Sequence, residues 1–300
     1  MKLQTEVAGI RLEHPLMNAA GTCKSLEDVR KLSRSASAAV VVGSITLKPR
    51  TGQTGNVYWA GPMFSLNSLG LPNLGATYYK TAMPAMAAMA HDKGKPFFVS
   101  VAGFSGAEYV ELADLALNSG ADLVELNLAC PNVWHGHSQE RIPCFNSALV
   151  DEILCCVESG VGESAKMSVK ITPFSDPFAL AEVAQVISAS KVVKVVTATN
   201  TFPNAFDYDG AKPRIMLGGG LAGMGGPALK PIALGHVVQL RTLLPRWIEI
   251  IGVGGITHGQ DILEYRQGGA AAVQVATSYL NQGETVFSSL LSEFLEFVSE

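Results

Sequence analysis

No uncharged apolar run in this chain approaches the ~18 residues a membrane helix needs. The start, Met1-Lys2-Leu3-Gln4-Thr5-Glu6, lacks the apolar core of a secretory signal. A soluble, cytoplasmic protein with no membrane partner is expected. Charge of one sign is also scarce: 22 Lys and Arg against 26 Asp and Glu leave a formal net charge of −4. The basic residues are scattered singly, so nucleic acid is not an expected partner. Cysteine is limited to Cys23, Cys130, Cys144, Cys155 and Cys156, an odd set without C-x-x-C spacing. That argues against a disulfide framework, a zinc site or an iron–sulfur centre within the chain, and no metal site is expected. No Gly-Lys-Ser or Gly-Lys-Thr follows a glycine cluster, and no G-x-G-x-x-G follows an N-terminal strand. Walker-type and Rossmann-type nucleotide sites are therefore excluded.

What is present is apolar residues and glycine. Hydrophobic residues make up 48% of the chain, charged residues only 16%, and there are 30 glycines, a balance that suits a large buried core with backbone-rich loops. Eight apolar, β-rich runs follow one another: Leu16–Ala20, Ala39–Val42, Phe97–Val101, Leu123–Leu128, Met167–Ile171, Val192–Val196, Ile248–Ile251 and Ala272–Val275. Stretches with helical spacing lie between them, such as Leu26, Val29 and Leu32 behind the capping pair Ser25 and Asp28. Strands alternating with helices imply parallel pairing through right-handed crossovers. Eight such units predict an α/β fold, a (β/α)8 TIM barrel forming one domain over residues 1–300, with an open doubly wound sheet as the runner-up.

In such a barrel the active site forms at the C-terminal ends of the strands. Those ends carry Asn18, Asn127, Cys130, Lys170 and Asn200. Two long, Gly- and Pro-rich segments, Thr46–Thr77 and the one following Cys130, are expected to cover the mouth. Late in the chain, Gly218–Gly226 and Gly252–Gly255 leave backbone N–H groups uncluttered by side chains. Such groups near a helix start make an anion site, and the loops after strands seven and eight commonly hold phosphate. A phosphorylated cofactor, flavin mononucleotide (FMN), is expected rather than a nucleoside triphosphate.

Several segments together resemble class 1 dihydroorotate dehydrogenases, most closely the homodimeric class 1A branch. They are Met17-Asn18-Ala19-Ala20-Gly21, Ser65 to Asn73, Glu125 to Asn132, Gly225-Gly226 with Lys230-Pro231, Gly252 to Ile256 with Gly259-Gln260-Asp261, and Val273-Gln274-Val275. The cysteine in Asn127-Leu128-Ala129-Cys130-Pro131-Asn132 is the class 1 residue where class 2 has serine, and a protein without the N-terminal helical extension of class 2 is expected. The resemblance implies FMN-dependent oxidation of dihydroorotate to orotate in pyrimidine biosynthesis, with fumarate as acceptor. It makes Cys130 the base that takes the substrate proton and Lys170 the cation that tunes the flavin. Flavin contacts are implied at Ala20, Gly21, Ser44, Asn127, Lys170, Gly223, Gly254, Gly255, Thr277 and Ser278. Substrate contacts are implied at Asn67, Ser68, Leu69, Gly70, Leu71, Asn127, Asn132, Asn200 and Thr201. Carboxamides suit a pyrimidine ring because each offers a donor and an acceptor.

The chain departs from the family pattern at the end of the second strand, where Gly43 occupies a position the family fills with lysine, and at Val57, where the family has arginine. Lys48, Arg50, His135 and His137 are the candidates for restoring the lost charge. Alternatives follow: a divergent FMN oxidoreductase or ene-reductase acting on a cyclic substrate without a carboxylate, or a non-catalytic flavin-binding paralogue. A class 1B arrangement would add a partner subunit carrying an iron–sulfur centre.

Overall fold

The computed structural model describes residues 3–130, 133–135, 138–216 and 218–299. Eight strands form its centre: β1 (Leu16–Asn18), β2 (Val40–Ile45), β3 (Phe97–Val101), β4 (Leu123–Asn127), β5 (Met167–Ile171), β6 (Val193–Ala198), β7 (Glu249–Val253) and β8 (Ala272–Val275). They pair in parallel in the spatial order β1-β8-β7-β6-β5-β4-β3-β2. Each overlaps one of the eight apolar runs. The seam between β1 and β2 is bridged by a side chain. Asn18, fully buried, accepts from Val41 N at 2.9 Å and donates to Val41 O at 2.8 Å. Ala38 N adds a bond to Leu16 O at 2.8 Å. A carboxamide can do this because its donor and acceptor match the pair of backbone groups an edge strand exposes. The ring sets aside the open-sheet alternative.

Strand side chains alternate between the two faces, and here the alternation sorts chemistry. Inward positions near the N-terminal end are apolar: Val41, Phe98, Leu123, Val195, Ile251 and Ala272 share one buried cluster with Val7 and Leu12. Those last two come from an antiparallel hairpin, Thr5–Val7 with Ile10–Leu12, that plugs this end. Further along the same inward rows stand Ser100, Glu125, Asn127, Ser168, Lys170, Thr197 and Gln274, all buried. The lumen thus turns from apolar to polar toward the C-terminal mouth.

Outward faces pack on helices α1 (Leu26–Arg34), α2 (Gly75–His91), α3 (Gly106–Asn118), α4 (Ser147–Val161), α5 (Pro177–Ala189), α6 (Lys230–Leu243), α7 (Gly259–Gln267), the short α8 (Thr277–Gln282) and α9 (Thr285–Ser299). Ser25, Ser105, Asn146 and Asp176 cap α1, α3, α4 and α5 with side-chain oxygens that accept from the first-turn backbone. Among the described residues no helix is long and apolar enough to cross a membrane.

A four-stranded antiparallel sheet covers the mouth, in the order Phe202–Ala205, Ala222–Gly225, Ser65–Asn67, Tyr58–Ala60. It joins the segment after β2 to the segment after β6. The segment after Cys130, expected as the second cover, contributes a short hairpin, Trp134–His135 with Ser138–Gln139, and a turn of 3-10 helix at Pro143–Phe145. Gly218–Gly226 departs from the loop expected there. Its residues 222–225 are a strand, laid against Ser65–Asn67 because small residues allow close pairing with the neighbouring chain.

Candidate active site

Below the mouth, Lys170 on β5 is almost wholly buried. Its Nζ lies 3.6 Å from Glu125 Oε1 on β4 and donates to Gln274 Oε1 on β8 at 3.4 Å. Glu125 Oε1 has no hydrogen bond of its own. Two long contacts leave hydrogen-bonding capacity on an ammonium that has three donors. A buried cation held this loosely favours a further acceptor above it.

Asn127, two residues beyond Glu125 on the same face of β4, is fixed from several sides. Its Nδ2 donates to Ser44 Oγ at 2.8 Å, its Oδ1 accepts from Ala129 N at 3.2 Å and Asn200 Nδ2 at 3.3 Å, and Tyr109 OH donates to its carbonyl at 2.8 Å. Ser44 Oγ is itself 2.9 Å from Ser100 Oγ. Burial drives the Tyr109 phenol upward to well beyond its ordinary range, so it stays a donor. β2, β3 and β4 are therefore tied together beneath the cavity by the Ser100 and Ser44 hydroxyls and the Asn127 carboxamide.

The cavity above this layer spans about 1230 Å³ with its open mouth included. Cys130 lines it, carried just past the end of β4, as does Lys170. Of the other implied contacts, Ala20, Gly21, Ser44, Asn67, Leu69, Gly70, Leu71, Asn127, Asn200, Thr201, Gly254, Gly255, Thr277 and Ser278 line the same cavity. Ser68 and Gly223 do not. Ser68 is buried and donates to Gln53 Oε1 at 2.9 Å, and Gly223 sits in the lid strand, its carbonyl accepting from Asn67 Nδ2 at 3.1 Å. Asn132 and His137 lie outside the described residues, as does the side chain of His135. Lys48 is exposed and Arg50 donates to Gly70 O at 3.1 Å while covering the Phe104 ring, so neither lines the cavity.

One end of the cavity is built from backbone. Gly226, Gly254 and Gly255 all have positive φ. A Cβ at Gly255 would stand 2.6 Å from Lys230 Cβ, and one at Gly254 2.7 Å from Ala233 Cβ. Only glycine lets these turns form so close to α6. Beside them Thr277 Oγ1 meets Ser65 Oγ at 3.0 Å. Gly21 also lines the cavity, and a Cβ there would find nothing within 4 Å. Backbone amides and a hydroxyl at one end, with a polar floor along the rest, suit a phosphate joined to a flat heterocycle.

Glu125, the partner of Lys170, was not expected at the site, nor were Gln274, Tyr58 and Lys24, the last three of which line the cavity. Gln274 and Glu125 had a signal, since each shares the inward parity of its strand. Lys24 had none, because it precedes a helix cap and reads as a solvated lysine.

A family model described as dihydroorotate dehydrogenase matches residues 2–298. The dihydroorotate dehydrogenase (fumarate) of Trypanosoma brucei brucei is 33% identical over 307 residues, which cover 100% of this chain and 94% of that protein. Dihydroorotate dehydrogenase A (fumarate) of Lactococcus lactis subsp. cremoris is 31% identical, covering 99% of this chain and 94% of its own. Among solved structures, DHODH from Eimeria tenella in complex with ferulenol aligns with a TM-score of 0.83 at 19% identity, covering 99% of this chain and 85% of that one. At that identity the likeness speaks to the barrel alone.

Proposed function

This chain belongs to the dihydroorotate dehydrogenase family, and from that membership we propose that it oxidises dihydroorotate to orotate with FMN as cofactor and fumarate as electron acceptor. The observation that carries the reading is the arrival of Cys130 and Lys170, from adjacent strands, on one cavity that Asn67, Asn127 and Asn200 also line. The flavin family cofactor fits the residues present. Gly226, Gly254, Gly255, Thr277 and the backbone of Ser278 would hold the phosphate, and Ala20, Gly21, Ser44 and Asn127 the ring system. Bound FMN supplies the hydride acceptor.

The chain's own residues do the rest. Cys130 takes the proton from the substrate ring carbon, a task for a thiolate at a cavity rim that the covering loops shield from water. Lys170, held in place by Glu125 and Gln274, would stabilise negative charge developing on the reduced flavin. The carboxamides of Asn67, Asn127 and Asn200, with Asn132 and Thr201, read the alternating N–H and C=O edge of the pyrimidine. Leu69 to Leu71 close the apolar side. We place the protein in the cytoplasm as a homodimer.

A second reading, a neutral cyclic substrate, draws on Gly43 and Val57. Gly43 has φ +107° and a Cβ there would lie 2.2 Å from Ser100 O, so this backbone accepts no side chain. Val57 accepts from Ser68 N at 2.8 Å and does not line the cavity.

The test is the visible spectrum of the anaerobic protein before and after dihydroorotate. Rapid bleaching of a yellow protein is expected. Cys130→Ala should retain FMN and orotate while losing reduction by about 10²-fold or more. Reduction at the wild-type rate in that variant would remove Cys130 from the proton transfer, and a protein unable to take up FMN would refute the cofactor.

A further inference from the structure

The cavity holds two cations and, among its described lining residues, no Asp or Glu. Lys170 already has Glu125 and Gln274 beside it. Lys24 is different. Among the described residues no hydrogen bond or ion pair occupies its Nζ, yet its backbone is tightly placed. Its N–H donates to Asp28 Oδ2 at 2.9 Å and its carbonyl accepts from Tyr79 OH at 2.9 Å. Asp28 is engaged as the capping-box acid of α1, taking the N–H groups of Lys24 and Ser25, so it acts on the ammonium through its charge and not through a hydrogen bond.

The position of this loop gives Lys24 its meaning. Gly43 N donates to Cys23 O at 3.0 Å, and Gly21 N donates to Gly43 O. Residues 21–24 are thereby laced to the end of β2, where Gly43 accepts no side chain. A cation rooted one residue beyond Cys23 reaches the cavity from next door. Burial lowers the Lys24 ammonium below its ordinary range, against the opposing charges of Asp28 and, to a smaller extent, the negative form of Cys130. A half-buried ammonium whose donors have no hydrogen-bonded acceptor among the described residues gains from an incoming anion, because the anion replaces the water it has lost.

We propose that Lys24 is the specificity-determining cation of this site, receiving the carboxylate of an acidic cyclic amide at the rim shared with Cys130. The inference rests on the reading above that the substrate is dihydroorotate. It assigns to β1's loop the acid-binding contact that β2 cannot supply, and it orients the substrate so that its acidic end lies on the Cys130 side.

The FMN-loaded full-length protein is titrated with orotate and with uracil, the same ring lacking the acid, following the flavin absorbance change and the heat of binding. Lys24→Met, close in length and apolar, is expected to weaken orotate by roughly 10–100-fold and uracil by less than about 3-fold. Lys24→Arg should recover orotate to within about 10-fold of wild type. Raising the salt should weaken orotate binding to wild type more than to Lys24→Met. FMN content and thermal midpoint report folding, and Lys24→Gln serves if the methionine variant does not fold. Unchanged orotate affinity in the variants, with wild type reduced by dihydroorotate, overturns the role of Lys24 and leaves the substrate reading intact. Equal weakening of both ligands also overturns it. A wild-type protein that binds uracil and not orotate overturns both.

Discussion

Lys170 and Glu125 stand 3.6 Å apart in the lumen, with side chains 5% and 3% exposed. Coulomb attraction at such a site is opposed by the cost of dehydrating both groups, so the pair contributes little net stability, while breaking it strands a charge. Lys170→Met is therefore expected to lower the unfolding free energy by about 3–5 kcal/mol in urea titrations. Adding Glu125→Gln should recover most of that loss without restoring flavin reduction. A single variant as stable as wild type would mean that Glu125 finds water or another partner. Gly43 is the opposite kind of residue, defined by what it cannot carry. With φ +107° and Ser100 O 2.2 Å from an added Cβ, Gly43→Ala is expected to cost about 2–5 kcal/mol from strain and overpacking together. Thermal denaturation reads this directly, and an unchanged midpoint would show that the end of β2 relaxes. Gly43→Lys is for the same reason no test of substrate charge, since loss of fold would mask any gain in affinity.

At the scale of elements, one carboxamide carries a large share of the barrel's closure, beside the backbone bonds that flank it. Asn18 gives Val41 both of its backbone bonds at the β1–β2 seam, and Asn18→Leu would bury that N–H and C=O unpaired. Each such group costs about 1–3 kcal/mol, so the variant should lose about 2–6 kcal/mol in urea unfolding. A loss under about 1 kcal/mol would show that the ring does not need the bridge. The strands that Asn18 joins were legible because parallel strands covered on both faces read as continuous apolar runs. That same reading hid the lumen. Ser100, Ser168, Thr197 and Gln274 look like interruptions until alternate positions are separated, and then all four fall on one face. Ser68 and Gly223 show a different limit: their segments matched the family pattern, but the lid turns Ser68 toward Gln53 and pairs Gly223 with a strand. The lid itself was illegible, because Ser65–Asn67 and Ala222–Gly225 are short and pair across more than 150 residues of chain. Local pattern carries no information about such a partner.

For the molecule as a whole, one acid-sensitive contribution to stability lies at the end of the barrel opposite the cavity. His14 lies between the plugging hairpin and β1, 5% exposed, with Nδ1 accepting from Leu16 N at 3.3 Å. Burial, reinforced by the nearby Lys95 charge and countered by Glu13 and a backbone contact at Ala36, lowers it from 6.5 to about 4. The sign follows from proton counting. Above pH ~6.5 the imidazole is neutral in folded and unfolded chains alike. Between about 6.5 and 4 the unfolded chain takes up a proton that the folded one refuses, so stability falls with pH through that window. The shift corresponds to about 3 kcal/mol in full and to about 2 kcal/mol between pH 7 and pH 5. Glu249 works in the other direction, its carboxyl raised mainly by burial, and adds stability as pH drops. Comparing variants isolates the histidine: in urea unfolding at pH 7 and pH 5, His14→Gln should lose about 2 kcal/mol less than wild type on acidification. Equal losses in the two proteins would place the acid sensitivity elsewhere. Because His14 is remote from Cys130 and Lys170, FMN release on acidification should track unfolding in wild type and shift to lower pH in His14→Gln.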